Sequence, residues 1–60
     1  MTAYNQWLAY YESHFSNIRN MALQGYWELF GRESEAPFES PREQAAWVAV
    51  NQELSDRGLA

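Results

Sequence analysis

The feature that most constrains this chain is a stripe of apolar residues at helical spacing. Tyr4, Leu8, Tyr11, Phe15, Ile18, Ala22, Gly25 and Leu29 recur at alternating steps of four and three. That spacing is a heptad seam, with Tyr4, Tyr11 and Phe15 as its aromatic members. A helix carrying such a seam is not stable by itself in water and must pack on something. Trp7, Tyr10, Met21 and Trp27 widen the apolar face beyond two positions per repeat. No proline interrupts the pattern, and Gly25 is the one glycine inside it. The periodicity therefore predicts one helix over about 3–30, with Thr2 as a weak N-cap, a bend expected at Gly25 and Gly31 as the C-cap.

A second helix is announced by Ser40-Pro41-Arg42-Glu43. Ser40 suits the N-cap, Pro41 the first helical position, and Glu43 the third, from which it can reach back to the cap. This helix is expected over about 41–57, with Ala46, Trp47, Val50 and Leu54 inward and Ala49 beside them. Arg57 favours its C-terminal end and Gly58 stops it. The loop 31–40 holds Pro37 and a lone ring, Phe38, which is expected to fold back between the helices. The expected fold is all-α: a long N-terminal helix, a proline-containing loop and a shorter C-terminal helix, forming a helical hairpin in one domain over 1–60. Its predicted core is Phe15, Ile18, Tyr26, Leu29, Phe38, Trp47, Val50 and Leu54. The second helix looks too short to cover Tyr4 to Phe15. That half is expected to pair with a second copy, making a homodimeric helical bundle.

Size sharpens the question of what stabilises the fold. A chain of 60 residues is marginal unless something reinforces its core. There is no cysteine, so disulfides and thiolate zinc sites are excluded. His14 is the single histidine and lacks a second ligand, so it reads as a helix-surface or interface residue and no metal is expected. Oligomerisation and an aromatic-rich core remain, and 17% of the residues are Phe, Trp or Tyr. No nucleophile–base pair or phosphate-binding loop appears, so neither an enzyme nor a cofactor is expected.

The net charge is −4, and all four bases are arginine. Acidity argues against direct binding to nucleic acid or an anionic membrane and favours a basic protein as partner. The apolar runs are far too short for a membrane span, and no leader pattern is visible, so a cytoplasmic location is expected. The expected partner-binding residues are Trp7, Tyr10 and Tyr11 on the uncovered half, with Glu33, Glu35, Glu39 and Glu43 around the loop. These glutamates lack the spacing and glycine of a calcium loop.

Residues 22–47 resemble the ribosome modulation factor family of small bacterial proteins. The likeness is carried by Gly25-Tyr26 in a helix, Gly31-Arg32 at its end, Pro37-Phe38 in the loop and Trp47 in the second helix. It implies a helix–loop–helix in which Phe38 packs on Trp47, and a ribosome-associated role. In size, acidity and lack of lysine the chain is also similar to phage-type inhibitors such as anti-CRISPR proteins. The leading expectation is a non-enzymatic acidic module of that kind, occupying a basic surface of a nucleic-acid-handling complex. A ribosome-associated modulator is the alternative. A third reading, a structural or regulatory helical dimer acting on RNA, requires Arg19, Arg32, Arg42 and Arg57 to form one basic stripe.

Overall fold

The computed structural model describes residues 2–31 and 40–59, the side chain of Phe30 excepted. The described residues are all-α, with three helices and no strand. Helix α1 is Ala3–Ser16, α2 is Asn20–Tyr26 with a π-helical continuation over Trp27–Gly31, and α3 is Pro41–Asp56.

The single helix expected over 3–30 is thus corrected to two, broken at residues 17–19 rather than bent at Gly25. The cause is local competition for one carbonyl. In a continuing helix the Ser13 carbonyl would accept from the Asn17 N–H. Here it accepts instead from Ser16 Oγ at 2.9 Å and Asn17 Nδ2 at 2.8 Å. The Asn17 N–H tightens onto the His14 carbonyl at 3.3 Å. Short polar side chains compete with the backbone in this way. Arg19 then takes up an extended conformation and starts α2 without a side-chain cap.

The break rotates everything after it. Leu23, which lies off the seam, is fully buried, while Ala22, Gly25 and Leu29 on the seam are exposed. Leu29, expected in the core, is 72% exposed because the restarted helix turns Leu23 inward instead. Ile18, Tyr26 and Trp47 are half-buried, and Phe38 lies outside the described residues.

The N-cap and C-cap signals of α3 hold. The Glu43 N–H donates to Ser40 Oγ at 3.2 Å, with Pro41 in the first turn. At the other end Gly58 has φ 72°, and its N–H donates to the Ser55 carbonyl at 3.0 Å. The Leu59 N–H reaches the Leu54 carbonyl at 2.8 Å. This is a complete Schellman stop, in which Leu59 is a working member rather than a tail. Thr2 likewise caps α1, its hydroxyl accepting from the Asn5 N–H at 3.2 Å.

The core sits between α1 and α3. Tyr11 and Phe15 from α1 join Leu23 and the α3 residues Ala45, Ala46, Ala49, Val50 and Leu54 in one buried cluster. Three alanines on one face of α3 let the α1 rings approach its backbone closely. The half from Tyr4 to Ile18 therefore has its partner inside the chain, contrary to the expectation of an uncovered surface. Tyr4, Trp7, Leu8 and Ile18 are partly buried against the same cluster.

Arg57, the C-cap of α3, ties the ends of all three helices. Its Nη2 donates to the Phe15 carbonyl at 2.7 Å, one of the carbonyls that α1 leaves unpaired at its end. Its Nη1 donates to Asn20 Oδ1 at 2.8 Å, and its Nε bonds Glu53 Oε2 at 2.8 Å. The π-helical segment is braced separately. Trp27 Nε1 donates to Asn51 Oδ1 at 3.3 Å, and Asn51 is oriented by its own bond to the Trp47 carbonyl at 2.9 Å.

Candidate functional site

Along α1 the rings fall three and four residues apart, and so lie on one face. Trp7 meets Tyr10 edge-on at 5.7 Å and stacks on Tyr11 at 5.9 Å. Tyr10 lies parallel to His14 at 6.2 Å, and Tyr11 stacks on Phe15 at 5.5 Å. Tyr26 closes the ladder from the end of α2. Its ring is 5.2 Å from Phe15 and 5.5 Å from His14, and its hydroxyl lies 3.4 Å from His14 Nε2.

Arg42, in the first turn of α3, crosses over this ladder. Its guanidinium carbon is 4.7 Å from the Trp7 ring centre, and its Nε donates to the Tyr11 hydroxyl at 2.9 Å. The Tyr11 hydrogen bond, and then the Tyr11 charge, raise the Arg42 pKa above its already basic ordinary value. A guanidinium is cationic at its ordinary pKa, so Arg42 presents a positive charge to the Trp7 ring. Tyr10, Tyr11, His14, Tyr26 and Arg42 line a shallow pocket of about 180 Å³.

The predicted partner-binding residues separate into distinct environments. Tyr10 is 57% exposed and presents its ring to solvent. Trp7 is half-buried beneath Arg42. Tyr11, expected on an open surface, is only 6% exposed and belongs to the core, because the alanine face of α3 covers it. Glu43 is exposed at the start of α3 and lines a groove of about 310 Å³ with Tyr11, Leu29, Ser40 and Arg42. Glu33, Glu35 and Glu39 lie outside the described residues. The role of Arg42 had no signal in the sequence, since nothing local shows that the start of the last helix lands on the first.

The charges are arranged unequally. Arg57 is neutralised by Glu53, and Arg42 is laid against rings. These two arginines sit at opposite ends of α3, and Arg32 lies outside the described residues. Glu12, Glu28, Glu43 and Asp56 are all exposed. Among the described residues no group of three or more acidic, histidine or cysteine side chains could hold a metal ion. No described helix is long and apolar enough to cross a membrane. No family model, curated protein or solved structure matches this chain.

Proposed function

We propose that this chain is a protein-binding module that acts in the cytoplasm by occupying a basic surface of a nucleic-acid-handling complex, as a phage-type inhibitor would. The observation that supports this reading is the inequality of its charges. Arg57 is spent on an internal ion pair and a carbonyl, and Arg42 is held on Trp7 and Tyr11. Glu12, Glu28, Glu43 and Asp56 are exposed, against Arg19 and Arg42 among the described arginines. A surface of that sign attracts a basic groove and repels the nucleic acid that would otherwise fill it. Tyr10, the exposed ring of the ladder, supplies an apolar anchor within the acidic field.

The test is capture by the immobilised chain from lysate of a host cell, with wash salt raised in steps. The proposal expects nucleic-acid-binding proteins to be retained and then released as salt screens the acids. It also expects added DNA to compete with the captured protein. Retention unaffected by salt, by DNA and by the combined Glu12→Gln, Glu28→Gln and Glu43→Gln changes would refute the charge-based mechanism. Co-sedimentation with intact ribosomes, insensitive to the same changes, would favour the ribosome-associated alternative.

A further inference from the structure

A cavity of about 410 Å³ opens between the α2 and π-helical segment and the C-terminal part of α3. Gln24, Trp27 and Glu28 form one wall, and Asn51, Leu54 and Leu59 form the other. Helix residues three and four apart share a face, which brings Trp27 and Glu28 to the same side as Gln24. Two of these groups are committed to each other. Trp27 Nε1 donates to Asn51 Oδ1 at 3.3 Å, and Asn51 Nδ2 donates to the Trp47 carbonyl at 2.9 Å. The indole is thereby held as a fixed wall. Glu28 and Gln24 are exposed, and their side chains make no hydrogen bond or ion pair among the described residues. Arg57 does not line the cavity, because its N–H groups are turned to Glu53, Asn20 and the Phe15 carbonyl. The cavity thus offers an uncompensated carboxylate beside an aromatic ring and two leucines.

We propose that this cavity receives an arginine side chain of a basic partner protein. Each wall matches one part of that side chain. The Glu28 carboxylate accepts a guanidinium through paired N–H bonds, and the Gln24 amide oxygen accepts a further one. The Trp27 ring attracts the cation, and Leu54 and Leu59 cover its methylene stem. A planar fork suits a carboxylate beside a flat ring, whereas a lysine ammonium is a compact and strongly hydrated charge. Charge selects this occupant over the alternatives. An anion is repelled by Glu28, and an apolar segment would cover that carboxylate without pairing it. The volume falls at the low end of the roughly 300–1,000 Å³ of ligand sites, which suits one side chain rather than a whole helix. The assignment rests on the reading of a basic partner and names where one of that partner's cations is held.

The probe is acetyl-arginine amide, titrated into the isotope-labelled full chain and followed by NMR of the indole and side-chain amide signals. A ligand of that size should bind with a Kd of about 1 mM. The Trp27 indole N–H, identified by its loss in Trp27→Phe, and the Gln24 amide should shift, while the Trp7 indole stays in place. Glu28→Gln should weaken binding about fivefold or more. Glu12→Gln removes the same charge from α1, away from the cavity, and should weaken it less than about twofold. Acetyl-lysine amide should bind about 3–10-fold more weakly than the arginine probe. The proposal is overturned if the Trp7 signal moves and that of Trp27 does not, or if Glu28→Gln costs no more than Glu12→Gln. Equal binding of uncharged acetyl-norleucine amide would overturn it too. The titration needs no partner, so the two readings fail separately. A failed titration beside successful capture from lysate removes the cavity assignment alone. A failed capture beside an intact titration removes the nucleic-acid-handling partner and leaves the arginine site.

Discussion

Replacing Arg57 with methionine keeps an unbranched apolar stem and removes three hydrogen bonds at once. The Glu53 pair is partly exposed, with 18% and 19% side-chain accessibility, and is worth about 0.5–1 kcal/mol. The bond to the Phe15 carbonyl has a charged donor and covers an end of α1, so about 1.5–2.5 kcal/mol is at stake there. The Asn20 contact is exposed and adds about 0.5 kcal/mol or less. The combined loss is about 2–4 kcal/mol, set against a total stability of roughly 3–9 kcal/mol for a chain this size. Unfolding entropy of a 60-residue domain makes each kcal/mol worth about 8 °C in Tm, so Arg57→Met should melt about 15–30 °C lower. Helical circular dichroism at 222 nm during a thermal ramp measures this. Glu53→Gln separates the contributions, since it removes only the ion pair and should cost less than about 8 °C. An Arg57→Met protein that melts within a few degrees of wild type would refute the idea that Arg57 closes α1. So would a Glu53→Gln protein that loses as much as Arg57→Met.

Other expectations are more local. Phe15→Ala empties the centre of the buried cluster, should cost about 3–5 kcal/mol, and should leave little helical signal at 25 °C. Gly58→Ala forces a Cβ into a left-handed conformation and should lower chemical-denaturation stability by about 1 kcal/mol. Gly25→Ala should raise stability by about 1 kcal/mol in the same assay, because its Cβ enters open space. Arg42→Ala uncovers Trp7 and should shift its emission to longer wavelength, with near-ultraviolet circular dichroism of the tyrosines changing in parallel; an unaltered Trp7 emission would mean that the guanidinium does not sit on the ring in solution.

Helix ends with dedicated chemistry were legible in the sequence. Ser40, Pro41 and Gly58 each require a specific backbone environment, and each is found in it. The break at 17–19 was not legible from apolar spacing. The seam runs through it without interruption, while the decision rests on Ser16 and Asn17, polar residues that the spacing treats as neutral. One missed break then displaced several later assignments. Leu29 moved from expected core to exposed face, and Leu23 moved the other way. The candidate site was half legible. Trp7, Tyr10 and Tyr11 do lie together, but Tyr11 belongs to the interior because Ala45, Ala46 and Ala49 admit it there. Alanines carry little weight in an apolar pattern, yet they decide which helices can approach.

The pairing of the first helix with the last has a kinetic consequence. Most small helical proteins fold quickly because their contacts are close in sequence. Here the buried cluster joins Tyr11 and Phe15 to Ala45, Val50 and Leu54, and the Arg57 bond spans 42 positions. The N-terminal helix therefore has no finished surface to rest on until α3 has been synthesised. Its rings stay uncovered during synthesis, and the chain should fold in a single step after α3 is available, with no stable N-terminal intermediate.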